Sequence, residues 1–190
     1  MSKLKQAWKN EYIKSIVFLA IILIGIVAFW MGLRFFLRTD YPLLAVASES
    51  MVPTLNVGDL IIVQGGLNVS DITAEYGTGD VIVFHKPGDP DELIVHRAVE
   101  KNDDSLRTKG DANAPIDNWS VFDSHLVGRV VGTVPYLGHI PLFVRTTTGV
   151  TIIVILIVIL ILLEFIIPAA KKAMKTEHPE EETDALDGSL

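Results

Sequence analysis

The chain has 190 residues, 49% of them hydrophobic, a formal net charge of −7 and no cysteine. This is too apolar for an ordinary soluble domain and suits one modest domain with membrane segments. The acidic balance argues against a nucleic-acid partner, which needs a basic surface, and without cysteine there is neither a disulfide nor a thiol nucleophile.

Residues 1–14 form a basic flank carrying Lys3, Lys5, Lys9 and Lys14. The uncharged run "SIVFLAIILIGIVAFWMGL" then extends from Ser15 to Leu33. As a helix it rises about 28 Å, close to the hydrocarbon thickness of a bilayer. Its apolar core is longer than that of a cleavable leader, and no small-x-small site follows it. Residues 15–33 are therefore read as a retained transmembrane helix.

Residues 34–148 are read as a β-rich domain. Its apolar runs are short and β-branched: "LIIV" (60–63), "DVIVFH" (80–85), "LIVHRAV" (93–99) and "LVGRVVGTV" (126–134). Gly, Pro, Asp and Asn clusters separate them, which is the strand-and-turn signature of an all-β fold. About 110 residues suffice to bury a core.

A second apolar run, "GVTIIVILIVILILLEFII", occupies 149–167. Its Val and Ile would favour a strand in water. In lipid each backbone group needs a partner within its own segment, so helix is predicted. Lys171, Lys172 and Lys175 follow it. Basic residues flanking both runs place both termini in the cytoplasm and the β-rich domain outside. The segment 168–190 ends in "TEHPEEETDALDGSL" and is expected to be a disordered acidic tail. The fold expected is a membrane-anchored all-β domain between two transmembrane helices.

The domain carries no HExxH, Walker A or GxGxxG pattern, so no metal and no organic cofactor are implied. It does carry the parts for nucleophilic catalysis. A serine attacks only when a base takes its proton and donors stabilise the oxyanion. Ser50 lies in "VASESMVPTLNVGD", a constrained turn between Val46 and Asp59. His96 lies within a strand, on the face opposite Val95 and Arg97. Asp111 and Asp117 sit in the turn-rich "TKGDANAPIDNW". Lys86 is a rival base for a Ser-Lys dyad, although Pro87-Gly88 after it points to an exposed loop. Residue types alone leave structural roles open for all of these, since the sites must also converge in space. They also leave open a non-enzymatic membrane-anchored β module that binds a surface partner. A lipid- or glycan-directed hydrolase is disfavoured by the missing GxSxG elbow.

The local contexts are more specific. "SESMVPT" resembles the first signature of type I signal peptidases, in which the serine before the methionine is the nucleophile. "GDLIIV", "GDVIVF", "IVHRAV", "TKGDANAPID" and "LVGRVVGTVPYLG" resemble that family's further segments in the family's order, across most of residues 44–138. The histidine in "IVHRAV" resembles the archaeal and endoplasmic-reticulum members, where bacterial ones carry lysine. The resemblance implies a serine endopeptidase that removes signal peptides from secreted preproteins. It implies Ser50 as nucleophile, His96 as base, and Asp117 as the group orienting the imidazole. It gives Asp111 and Ser48 supporting roles, Ser48 as a second oxyanion donor. Many members have glycine between the two serines; here Glu49 stands there. The implied partners are preproteins, the lipid bilayer and the translocation machinery, at the plasma membrane or the endoplasmic reticulum. An extended substrate would add to the strand edge at Leu93, Ile94 and Val95, with small side chains at −1 and −3.

Overall fold

The computed structural model of the protein describes residues 11–177. The chain divides at Leu142/Phe143 into two units, treated separately below.

The first unit opens with α1 (Glu11–Leu37), 27 residues long. It is apolar on every side, with Ile16, Phe18, Leu23 and Phe29 all exposed, so it has no polar face to turn to water. The stretch long and apolar enough to cross a membrane runs from Ile13 to Leu37, longer than the 15–33 expected, because the helix continues through Arg34. That arginine pairs with Asp40 just past the helix end. Arg38, at φ 52°, takes the left-handed conformation that stops the helix. The freed Leu37 carbonyl accepts the Gly65 N–H at 2.8 Å, which ties the helix end to the sheet.

Seven strands follow: β1 (Leu43–Ala45), β2 (Leu60–Gln64), β3 (Val81–Lys86), β4 (Asp89–Lys101), β5 (Ser105–Lys109), β6 (Val121–Phe122) and β7 (Leu126–Val134). They form one sheet in the order β1-β2-β7-β3-β4-β5-β6, with every neighbouring pair antiparallel. β3 is the central strand. Ile82 and Phe84 face a core with Val69, Ile72, Ala98, Leu106 and Val121. Val83 faces the other side, against Val46, Met51, Leu55, Ile61 and Val63. Burial on both faces is why β3 reads as a continuous apolar run rather than an alternating one. β7 bends to pair with both β2 and β3, with a register shift against each. At Gly128 it passes so close to Gln64 that a Cβ would meet that carbonyl oxygen at 2.2 Å, so only glycine fits.

The four apolar runs are all strands. β4 is longer than the 93–99 expected, because β3 and β4 form a tight hairpin at Pro87-Gly88 and pairing resumes at Asp89. β1, with three residues, and β6, with two, are too short to stand out, and β5 carries too little apolar pattern. β5, "SLRTK", takes its place through ladder bonds to β4.

A short helix, α2 (His139–Val144), crosses the boundary between the units. The second unit holds α3 (Thr147–Glu177), which covers the run 149–167. Among the described residues α1 alone is long and apolar enough to be a span by itself. The apolar part of α3, Thr147–Leu163, passes only when joined to the short helix before it. The expectations for residues 1–10 and 178–190, including the acidic end of the tail, lie outside the described residues.

Candidate active site

The segment from Val46 to Asp59 is a loop closed at its neck. Val46 N–H donates to the Asp59 carbonyl at 2.9 Å, and Gly58 N–H donates to the Val46 carbonyl at 2.9 Å. Gly58 makes this closure with φ +90°, which side chains with a Cβ rarely adopt. The buried Asp59 carboxylate accepts the Asn56 N–H at 2.9 Å from inside the loop. Met51 and Leu55 are driven into the core beneath, 1% and 3% exposed. Those two anchors leave Ser50 half-buried at the top of a turn, with Ser48 exposed beside it. The two hydroxyls are 3.2 Å apart. Glu49, between them, is exposed.

Alternation along β4 sends His96 and Arg97 to opposite faces, and each meets one aspartate from the loop after β5. His96, buried, has its Nδ1 2.7 Å from Asp117 Oδ2. The same oxygen accepts the Thr108 hydroxyl at 2.7 Å, and Asp117 N–H donates to the Thr108 carbonyl at 2.9 Å. The carboxylate is thus fixed at both ends of its residue. With Nδ1 committed to Asp117, Nε2 is the ring nitrogen left for a proton to be taken.

Arg97 makes a fork with Asp111: Nε donates to Oδ1 at 2.8 Å and Nη2 to Oδ2 at 2.5 Å. Thr54 joins it, its hydroxyl donating to Asp111 Oδ2 at 2.6 Å. Burial opposes the charge on Asp111. The hydrogen bonds from Arg97 and Thr54, with the charges of Arg97 and Lys109, outweigh it and hold the carboxyl below the usual range. The Asp111 hydrogen bond raises Arg97 in turn, against the cost of its burial. This ion pair joins three segments: the turn four residues after Ser50, the strand one residue after His96, and the loop six residues before Asp117. A further bond, Ala112 N–H to the Ser50 carbonyl at 2.9 Å, ties the last of these to the serine itself.

Ser48, Ser50 and His96 line one cleft of about 320 Å³. Its walls are Ala45–Ala47 on one side and Glu92–Val95 on the other, so Leu93, Ile94 and Val95 all border it. β5 pairs with β4 only from Arg97 onward. Residues Leu93–His96 are paired to β3 on one edge and present the other edge to the cleft.

Lys86 is not among the residues lining this cleft, although it reaches Glu92 on its wall. Its ammonium pairs with Glu92 at 2.6 Å, and that hydrogen bond raises its pKa, the reverse of what a neutral amine base needs. His85 has Nδ1 2.6 Å from the Pro90 carbonyl, and His125 Nδ1 accepts the Phe122 N–H at 3.2 Å. Among the described residues no group of three or more His, Cys, Asp or Glu could hold a metal ion. Sequence reading missed Thr54, Arg97 and Thr108. Arg97 and Thr108 had a signal, since they lie inside the quoted segments "IVHRAV" and "TKGDANAPID" and alternation fixes the face of each.

A serine in an anchored turn, sharing a cleft with a histidine whose far nitrogen is held by a carboxylate, is the equipment of a serine peptidase. Comparison with known proteins gives the same class. Residues 9–133 match the family Signal peptidase, peptidase S26. The signal peptidase complex catalytic subunit sec11 of Dictyostelium discoideum is 31% identical over 147 residues, covering 70% of this chain and 78% of that protein. Its counterpart in Schizosaccharomyces pombe is 31% identical over 136 residues, 58% and 71% of the two chains. SEC11C of Homo sapiens is 29% identical over 155 residues, 75% and 77%. The chain belongs to the signal peptidase family, peptidase S26, and is a serine peptidase that removes signal peptides. The non-enzymatic reading is set aside.

Proposed function

We propose that Ser50, His96 and Asp117 are the catalytic triad. The observation that carries this is the 2.7 Å His96–Asp117 contact at the cleft that also holds Ser50. His96 Nε2 takes the Ser50 proton as Oγ attacks the scissile carbonyl. It then gives that proton to the leaving amine, and a water repeats the cycle on the acyl-enzyme. Asp117 holds the Nδ1–H tautomer and stabilises the imidazolium, and Thr108 steadies Asp117. The Ser50 N–H and the Ser48 hydroxyl stabilise the oxyanion. Asp111 is a positioning residue. The substrate lies extended along the open edge at Leu93–Val95, where main-chain hydrogen bonds supply affinity and shallow apolar pockets favour small residues at −1 and −3. The test is cleavage of a preprotein with an Ala-x-Ala site. Ser50→Ala should lose several orders of magnitude while still folding, and retention of more than about a tenth of the activity sinks the assignment.

In the same reading residues 15–33 and 149–167 are membrane spans and 34–148 form the external catalytic domain. Residues 1–14 and 168–190 are then cytoplasmic. The lysines flanking each span support this. Protease added outside intact cells should spare the C-terminal tail, and its digestion there refutes the arrangement. The relatives are subunits of a signal peptidase complex. That supports a complex partner for this chain, at the endoplasmic reticulum or plasma membrane.

A further inference from the structure

Beyond His96, β4 borders a second concavity of about 300 Å³, whose lining includes Pro53, Thr54, Tyr76, Arg97, Lys109 and Asp111. It adjoins the catalytic cleft through shared segments: Pro53 and Thr54 follow Ser50 in one loop, and Arg97 follows His96 in one strand. From Arg97 onward β5 fills the edge of β4, so a chain with its upstream residues beside Leu93–Val95 and its scissile carbonyl at Ser50 must quit the strand there, and the nucleophile loop offers it Pro53 and Thr54, which border this concavity.

The charge in this concavity is unusual for the molecule. The chain as a whole is acidic, at −7, yet Arg97 and Lys109 are direct cross-strand partners. Like charges placed so are unfavourable in a sheet. Asp111 neutralises one of them: its carboxylate takes both Nε and Nη2 of Arg97, and Nη1 goes to the Gly79 carbonyl at 2.7 Å. Lys109 is engaged more weakly. Its ammonium makes a long hydrogen bond of 3.4 Å to the Gly110 carbonyl and stands 5.4 Å from the centre of the Tyr76 ring. An ammonium has three donors, the aromatic face does not neutralise it, and the one carboxylate it acts on, Asp111, is shared with Arg97, so two cations here face a single anion. Glu75, on the same loop as Tyr76, accepts the Thr78 hydroxyl at 2.6 Å.

We propose that this concavity is the subsite for the residues just downstream of the scissile bond, and that Lys109 selects a carboxylate-bearing side chain there. This rests on the active-site reading above. The carboxylate meets the Lys109 ammonium on the side away from the Tyr76 ring, with Pro53 and Thr54 lining the same concavity.

The test uses three preproteins identical except at the two positions after the cleavage site, which carry Glu, Gln or Lys. The full-length protein in detergent should show a Glu-over-Lys preference in kcat/KM of about three- to fivefold, the size of a partly exposed ion pair. About 1 M salt should erase it. Lys109→Arg should keep the preference and Lys109→Glu should reverse it. An equal ratio in wild type and Lys109→Glu, or no preference in wild type, overturns the proposal. The Gln preprotein separates the two readings: its cleavage by the Ser50→Ala variant strikes the active-site assignment instead.

Discussion

Replacing Asp111 by asparagine tests what holds the three site-bearing segments together. The carboxylate accepts two hydrogen bonds from Arg97 and one from Thr54. Asparagine keeps one acceptor oxygen and turns the other position into a donor facing the guanidinium. A hydrogen bond to a charged group contributes about 1.5–3 kcal/mol. Arg97 also loses its counter-ion, with its side chain 11% exposed and that of Asp111 16%. A fully buried broken pair costs about 3–5 kcal/mol, and this pair is partly screened by solvent, so the expected loss is about 2 kcal/mol. In a folded unit of about 100 residues that lowers Tm by about 8–16 °C. The assay is thermal melting of the solubilised protein at pH 7 and at stepwise lower pH. The folded-state pKa of Asp111 is depressed. Its stabilisation is therefore fully present above the unfolded value, about 3.9, and is lost as pH falls through the folded one. Wild type and variant should converge below about pH 4. A Tm change under about 2 °C at pH 7 refutes the reasoning, as does a gap that persists undiminished in acid.

Asp117→Asn should slow cleavage by on the order of 10⁴ through loss of tautomer control, whereas Thr108→Val, which removes one hydrogen bond to Asp117, should cost about tenfold; single-turnover rates on one preprotein rank them, and the reverse order defeats the triad. Asp111→Asn should fall nearer the Thr108 variant in rate, because it acts through packing rather than on the imidazole. Lys86→Met should cleave at close to the wild-type rate, and a dead Lys86 variant would restore the Ser-Lys dyad.

The strands that could be read beforehand are those with an apolar signature. "LIIV" buries one face, "DVIVFH" buries both, and "LVGRVVGTV" packs Leu126, Val127 and Val130 half-buried against the cores, so hydrophobicity alone locates β2, β3 and β7. β5 could not be read that way. Its Ser, Arg, Thr and Lys are recruited by register with β4, and register is a long-range property. The site divides along the same line. Ser50, His96 and Asp117 were legible because each sits in a recognisable local context, and alternation placed His96 and Arg97 on opposite faces. That each would take a different aspartate was not legible, because it depends on where the loop after β5 lies across β4. Thr54 was invisible for the same reason, since 57 positions separate it from Asp111. The helix runs past the 15–33 read as a span, to Leu37, because Arg34 is accommodated in its last turn by pairing with Asp40.

The open edge of β4 also bears on self-association. A row of unpaired amides and carbonyls recruits any extended chain, including the same edge of a second copy. The stretch leading into it is Asp89-Pro90-Asp91-Glu92, exposed along its length. Proline withholds a donor at the mouth of the edge. An edge-to-edge dimer would bring together Asp89 and Asp91 of both copies, along with Glu92, whose charge Lys86 offsets. The segment proposed to admit a substrate strand is thus fenced against its own likeness, and copies of the chain can sit side by side with their sites open.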